Sequence, residues 1–317
     1  MATPNISEIA TATIRHHARD VADNITNNNA LLAHLKKRGR VKPYTGGTEI
    51  KVELSYQENS TYKRYSGYEP LDIQPSEVLT SATYGVKQSA VSITISGEEE
   101  IANAGKSKML DLLDERITAA QSTMANNLSA DIYSDGTEDD GKQINGLAAL
   151  ISTTPNTGTV GNIPRASWGF WRNKVKTAAV LSDVKQELQK MWLQLVRGTD
   201  KPGLIVMDNE VYSAYWGDLQ DQQRYASDTD TANMGFENLL FNRTPVVLDG
   251  GHGGNAPEKR CYFINTKYLM WKPHSERNPM TTDMKAPVNQ DALVSQLLWA
   301  GNLCMNNASL QGVIQFA

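Results

Sequence analysis

The residues of this chain that could bind a phosphate lie at Gly105-Lys106-Ser107, which matches the end of a phosphate-binding loop. Such a loop holds an anion on backbone N–H groups where a helix begins. The complete motif also requires a glycine five residues before Gly105, and Glu100 occupies that position. A carboxylate there would repel phosphate, so we expect no nucleotide site.

The histidines, cysteines and serines do not form a known catalytic or metal-binding motif either. His16 and His17 are adjacent, and adjacent side chains on a helix diverge by about 100°, so they cannot both face one metal ion. The sequence contains no His-Glu-x-x-His, no paired Cys-x-x-Cys and no Gly-x-Ser-x-Gly motif. We therefore predict no catalytic residue, no metal and no cofactor, and we expect Cys261 and Cys304 to be free buried thiols.

The composition is typical of a globular chain with a sizeable core. The 317 residues are 40% hydrophobic and 21% charged. No apolar run approaches the roughly 18 residues that a membrane-spanning helix needs. Residues 1–5 lack the basic and apolar regions of a signal peptide, which predicts a cytoplasmic protein with no membrane partner.

Positive charge is concentrated near the N-terminus of a chain whose net charge is −4. Residues 1–42 contain seven basic and three acidic side chains, a balance of +4, which leaves −8 on the remainder. The basic residues are Arg15, Arg19, Lys36, Lys37, Arg38, Arg40 and Lys42. Two interpretations fit: a segment that contacts phosphates, or a basic helix end followed by a solvated loop.

A long amphipathic helix is the clearest element that the pattern predicts. Residues 91–96 alternate as a strand does and lead through an acidic turn into this helix, which we predict over residues 107–133. At 1.5 Å per residue it would be about 40 Å long. Its apolar side chains recur at steps of three and four and should pack on a sheet. They are Leu113, Ile117, Ala120, Met124, Leu128 and Ile132.

A β-hairpin with a long connection precedes that helix. Residues 49–56 alternate as in a half-exposed strand, and residues 84–96 are predicted as its return strand. The segment between them carries tyrosines but is too polar, and too interrupted by glycine and proline, to form a core. We predict a two-stranded flap that projects from the body and makes contacts, with an ordinary surface hairpin as the alternative.

The rest of the chain alternates helices and strands before it becomes rich in strands. We predict an amphipathic helical run over residues 168–196, a strand over 203–207 and a helix over 209–222. Further strands are predicted over residues 244–248, 260–264, 268–271, 293–299 and 310–316. The fold class is therefore α+β with a compact α/β region.

The order of these parts resembles the major capsid proteins of tailed bacteriophages with the Hong Kong-97-type fold. The resembling parts include Ile-Ser-Gly-Glu-Glu-Glu-Ile-Ala-Asn-Ala-Gly at 95–105 and Ile-Asn-Gly-Leu-Ala-Ala-Leu-Ile at 144–151. They continue with Gly-Phe-Glu-Asn-Leu-Leu-Phe-Asn-Arg-Thr-Pro-Val-Val at 235–247, Gly-Asn-Leu-Cys-Met-Asn-Asn at 301–307 and Gln-Gly-Val at 311–313. Each is an ordinary strand or turn by itself, and their order along most of the chain carries the resemblance.

The resemblance implies a partition of the chain and a set of contacts. It implies an N-terminal arm (1–46), an extended β-hairpin E-loop (47–97), a P-domain with the spine helix (98–145), a mainly A-domain segment (146–285), P-domain strands (286–307) and a C-terminal A-domain strand (308–317). In this family the E-loop lies over a neighbouring subunit. The implied inter-subunit contacts are Tyr62, Lys63, Arg64, Tyr65, Tyr68, Glu98, Glu99 and Glu100. Some members cross-link an E-loop lysine to a late asparagine, for which the candidates are Lys63 with Asn302, Asn306 or Asn307.

The function that the resemblance implies is that of a major capsid (coat) protein of a tailed double-stranded DNA phage or prophage. Copies would form hexamers and pentamers of an icosahedral shell, with scaffolding, portal and decoration proteins and packaged DNA as partners. The residues facing DNA or scaffold would be Arg15, Arg19, Lys36, Lys37, Arg38 and Arg40. The location would be the virion capsid, assembled in the bacterial host cytoplasm. An encapsulin shell and a cytosolic α/β enzyme are the alternatives.

Overall fold

The computed structural model describes residues 29–74, 77–102, 106–220, 238–249 and 255–317, except for the side chains of 100–102, 106–112, 220 and 238. The helices are α1 (Ala30–Lys37), α2 (Gly97–Ala102), α3 (Lys106–Asp131), α4 (Glu138–Gly141), α5 (Leu147–Leu150), α6 (Val184–Leu195) and α7 (Asn209–Gln220). The strands are β1 (Glu49–Ser55), β2 (Leu79–Gly85), β3 (Lys87–Ser96), β4 (Thr159–Val160), β5 (Ile163–Pro164), β6 (Lys174–Ala179), β7 (Leu204–Met207), β8 (Asn238–Phe241), β9 (Thr244–Leu248), β10 (Arg260–Ile264), β11 (Leu269–Pro273), β12 (Met280–Thr281), β13 (Ala292–Met305) and β14 (Gly312–Phe316).

The α/β region is built on a six-stranded sheet in the order β6-β14-β10-β7-β9-β8. Successive residues of a strand face opposite sides of the sheet. Leu204 and Val206 of β7 accordingly lie in the main core, whereas Ile205 and Met207 pack with residues of α6 and α7. Both faces of the sheet are covered, which explains why β7 is apolar throughout.

The prediction of one helical run over residues 168–196 is wrong. The segment forms a 3₁₀ turn at Gly169–Trp171, strand β6, a second 3₁₀ turn at Leu181–Asp183 and then α6. Strand β6 is the parallel partner of β14 at the edge of the six-stranded sheet. A hydrogen-bonding partner far along the chain thus overrides the local helical period.

A second sheet is organised around the long strand β13. Strand β3 pairs with residues 292–301 of β13, β11 pairs with residues 301–305, and β12 pairs with residues 297–298, all antiparallel. The helix predicted to pack on a sheet is confirmed as α3. The first half of its apolar stripe packs on Ile93 and Ile95 of β3, and the second half joins the main core. Every residue of the predicted stripe is at most 6% exposed.

The hairpin is confirmed, but its predicted return strand is wrong. Strand β1 pairs with β2, with Glu49 opposite Gly85 and Ser55 opposite Leu79, whereas β3 pairs with β13. Apolar and polar residues alternate both over residues 82–85 of β2 and over residues 91–96 of β3, so the pattern does not tell which of them returns along β1. We use "flap" below for residues 49–85 and "flap tip" for residues 57–78.

The segment 29–44, which the resemblance assigns to the N-terminal arm, is held to the body. The side-chain oxygen of Asn29 caps α1 by accepting hydrogen bonds from the N–H groups of Leu31 at 3.0 Å and Leu32 at 3.1 Å. Both leucines are fully buried. Residues 40–44 then run parallel to β11 and exchange backbone hydrogen bonds with it.

We expect Leu128→Ala to lower the free energy of unfolding by about 2–5 kcal/mol, because it removes buried methyl groups from the packing face of α3. Denaturant unfolding followed by circular dichroism measures the loss. Asn126→Ala, at an exposed position of the same helix, is the control and should change the value by less than about 0.5 kcal/mol. Equal stability of the two variants would contradict the packing role of the stripe.

Candidate inter-subunit interfaces

The flap tip presents apolar side chains to solvent. Tyr62 is 78% exposed, Tyr65 is 63% exposed and Tyr68 is fully exposed. Leu71 and Ile73 are exposed as well. Tyrosine rings bury a large area at a small loss of conformational entropy. Their concentration on a projecting segment marks a surface that can contact another molecule.

The two predicted cations of the flap tip differ in their surroundings. The Lys63 ammonium lies 3.1 Å from the carboxylate of Glu69 and donates to the carbonyl of Pro70 at 3.4 Å, both within the tip. Arg64 is exposed. An ion pair between exposed side chains contributes only about 0–1 kcal/mol. Aromatic area therefore outweighs charge in any contact that the tip makes.

Glu99, one of the three predicted contact glutamates, is engaged within its own chain. The N–H of Ser96 donates to the Glu99 carboxylate at 3.0 Å, and the N–H of Glu99 donates to the Ser96 hydroxyl at 3.3 Å, which is a capping box for α2. The guanidinium of Arg116 pairs with the same carboxylate. The hydrogen bond from Ser96, aided by the Arg116 charge, holds the pKa of Glu99 below its usual range. Glu98 is exposed, and the side chain of Glu100 lies outside the described residues.

The basic segment lies around the C-terminal end of α1. Lys36, Lys37 and Arg38 are exposed, and Arg40 is half-buried. Cations are favourable at this end of a helix because the last carbonyl groups carry partial negative charge. The structure therefore agrees with a basic helix end, and it also leaves these side chains at the surface. The predicted residues Arg15 and Arg19 lie outside the described residues.

A groove of about 610 Å³ lies between β3, α3 and the acidic turn that follows α3. Val91, Met124 and Leu128 line it, together with the carboxylates of Asp131 and Glu138. Burial, with a further contribution from Glu138, raises the pKa of Asp131. Among the residues that the structure describes, no group of three or more His, Cys, Asp or Glu side chains could hold a metal ion.

Solved capsid structures share this architecture. The chain matches a chain of the cyanophage A-1(L) capsid with a TM-score of 0.66 at 16% identity, covering 87% of this chain and 90% of that one. It matches the capsid of Myoviridae phage XM1 with a TM-score of 0.55 at 12% identity, covering 89% of this chain and 91% of that one. It matches the capsid of a native GTA particle with a TM-score of 0.53 at 12% identity, covering 89% of this chain and 90% of that one. The chain has the Hong Kong-97-type capsid fold.

Comparison of sequences alone does not extend this result. No protein-family model and no curated protein sequence matches the chain. The predicted α+β class is confirmed. Within the described ranges, none of the helices combines the length and the apolar character that crossing a membrane requires.

Two buried polar side chains tie the flap to the body of the capsid fold. The hydroxyl of Tyr84 donates to the carbonyl of Met305 at 2.7 Å and accepts from its N–H at 3.2 Å, and burial raises the pKa of Tyr84. The side-chain amide of Asn302 donates to the carbonyl of Gly85 at 2.8 Å. These partners are 217 to 221 residues apart in the chain, so no local sequence signal indicates them.

Asn302 is not available as a cross-linking partner of Lys63 in this conformation. Its side chain is fully buried, and its oxygen accepts hydrogen bonds from the N–H groups of Asn145 and Leu303, each at 2.9 Å. Asn306 and Asn307 are half-buried. The side chain of Asn302 thus joins β13 to the end of β2 and to the segment after α3.

We expect Asn302→Ala to lower the free energy of unfolding by about 1–3 kcal/mol for each buried backbone group that loses its partner. Denaturant unfolding of the purified subunit measures this loss. Asn306→Ala is the matched control, because the side-chain oxygen of Asn306 has no hydrogen-bond partner among the residues that the structure describes. An equal loss in both variants would show that the three-way connection through Asn302 is not the cause.

Proposed function

We propose that the chain is the major capsid protein of a tailed double-stranded DNA phage or prophage, and that its copies assemble into an icosahedral shell around the genome. The observation that carries this proposal is the match in fold to phage capsid chains over 87–89% of the chain. The exposed tyrosines of the flap tip, which have no core of their own, support it independently. The proposed role is structural and requires no catalytic residue.

In this proposal the partners of each subunit are copies of itself in hexamers and pentamers. The flap is the E-loop, and its tip contacts a neighbouring subunit through Tyr62, Lys63, Arg64, Tyr65 and Tyr68. The exposed carboxylate of Glu98 and that of Glu100 are the acidic partners on the neighbour, because Glu99 is engaged by Ser96 and Arg116 of its own chain. Modest contacts of this kind are sufficient because a closed shell repeats them many times.

The basic segment faces the lumen in this proposal. Lys36, Lys37, Arg38 and Arg40, with Arg15 and Arg19 before them, contact phosphates of packaged DNA or an acidic scaffolding protein without reading sequence. Portal and decoration proteins are further partners that the role implies. Assembly takes place in the cytoplasm of the bacterial host, and the mature location is the virion capsid.

The proposal is tested by electron microscopy and sedimentation of the purified chain, alone and co-expressed with the scaffolding gene of the same phage or prophage. We expect closed shells of uniform size, and nuclease-protected DNA in particles isolated from phage lysate. Shells that enclose one kind of protein instead of DNA would identify an encapsulin. A chain that stays monomeric in both preparations would contradict any shell function.

We expect the triple substitution of Tyr62, Tyr65 and Tyr68 by Ser to abolish stable shells and leave the subunit folded, because the rings contact only a neighbour. The same three residues changed to Phe form the matched control, which keeps the aromatic area and should assemble. Sedimentation measures shells, and thermal unfolding checks that both variants are folded. Normal shell yield from the Ser variant would rule out the flap tip as an assembly contact.

A further inference from the structure

The base of the flap is packed on the body as firmly as a core element. The inward-facing side chains nearest the body are at most 5% exposed, whereas Thr80 on the same face, closer to the tip, is exposed. The buried ones are Ile50, Val52, Leu54, Ala82 and Tyr84. Beneath them lies the β4–β5 turn, whose Gly161 carbonyl accepts a hydrogen bond from the N–H of Thr83 at 2.9 Å. A Cβ atom at Gly161 would lie only 2.8 Å from the Cβ of Ala82, so this close approach requires glycine.

This packing ends abruptly at Tyr56. The last backbone hydrogen bond across the hairpin runs from the N–H of Tyr56 to the carbonyl of Val78 at 3.1 Å. None of the described residues from 57 to 74 is buried. The flap-tip bonds that the structure describes, such as the Lys63–Glu69 ion pair, join residues of the tip itself. The direction of the tip therefore depends on how residues 56 and 78 are held.

The ring of Tyr56 is held by an aromatic shelf, which we define as Trp168 and Phe170. The Tyr56 ring centroid lies 5.8 Å from that of Trp168, with the rings edge to face, and 5.9 Å from that of Phe170. Trp168 and Phe170 also meet edge to face at 5.8 Å. Aromatic pairs are favourable at centroid separations of about 4.5–7 Å in such orientations. The three rings form one contact between the end of β1 and the body.

The aromatic shelf is itself fixed. The neighbouring Trp171 is fully buried, and its indole N–H donates to the carbonyl of Val160 at 2.9 Å. The guanidinium of Arg172 donates to the carbonyl of Arg165 at 2.7 Å, which closes the loop that carries Trp168. The backbone that carries the shelf is thus tied to the body, and a swing of the tip that displaces the Tyr56 ring breaks its contact with the shelf.

We propose that Trp168 and Phe170 are positioning residues that grip Tyr56 and thereby set the direction in which the flap tip leaves the subunit. Releasing Tyr56 from the shelf lets the tip swing about residues 56 and 78 while β1 and β2 stay in place. A tip held in one direction reaches its partner surface with less loss of conformational entropy. Only this consequence for assembly rests on the proposed function; the grip is a property of the single subunit.

The grip is tested by the distance between spin labels on Tyr65→Cys in the flap tip and Gln194→Cys at an exposed position of α6, measured on unassembled subunits. The native Cys261 and Cys304 are fully buried, and burial raises the pKa of both thiols, so they do not take up the label. With the shelf intact we expect one narrow distance distribution. Trp168→Ala should broaden it, and Trp168→Phe, which keeps a ring at the shelf, should restore it.

Trp168 is 45% exposed, so its removal should shift the unfolding temperature by no more than about 4 °C. Val180→Ala, at a position 54% exposed, is the matched control and should leave the distribution narrow. Tyr56→Ser removes the same contact from the flap side, and it replaces Trp168→Ala as the test variant if Trp168→Ala does not fold. If the distance distribution of either folded variant is as narrow as that of the wild type and has the same mean, the proposed positioning role of the shelf is wrong. A wild-type chain that forms no shells overturns the proposed function instead, and the distance measurement does not depend on that result.

Discussion

The fourteen-residue strand β13 is the constraint on which the other parts of the molecule depend. At residues 297–298 it is hydrogen-bonded to β3 along one edge and to β12 along the other, and further on it pairs with β11. A one-residue slip of such a strand would turn every buried side chain to the opposite face. Its register is therefore strongly specified. That register places β3 beneath α3 and aligns Asn302 and Met305 with the end of β2.

The flap combines a rigid base with a tip that has little support of its own. The base buries side chains of β1 and β2. Its buried polar groups are hydrogen-bonded through Tyr84 and Asn302. The tip leaves its tyrosines in water, which is unfavourable for an isolated soluble chain because exposed apolar patches promote association. In the proposed shell the same association is the function. Rigidity at the base then limits where the tip can associate.

Two of the charged side chains assigned to the proposed interface are already engaged within their own subunit. Glu99 serves as the cap of α2 and the partner of Arg116, and Lys63 pairs with Glu69 inside the flap tip. Such local pairs are favoured because their members are already close in the chain, so little entropy is lost in bringing them together. The apolar area of the flap tip has no comparable partner within the described part of the subunit. In the proposed shell it is therefore the larger driving force for contact between chains.

Features that depend on residues a few positions apart were predictable from the amino-acid sequence. The buried face of α3 follows from the helical period, the alternation of β1 from the period of a strand, and the exposure of the flap tyrosines from their polar, interrupted surroundings. Tertiary structure alone decided which strands pair. The alternation within β2 and β3 does not depend on which partner they take. Within the predicted helical run, residues 174–179 form strand β6 because they pair with β14, and only residues 184–195 form an α-helix. The bonds of Asn302 with Asn145 and Gly85, and the contact of Tyr56 with Trp168, likewise join residues more than a hundred positions apart. Contacts between residues so far apart in the chain depend on how the sheets pack in three dimensions. A pattern along one chain carries no signal of such contacts.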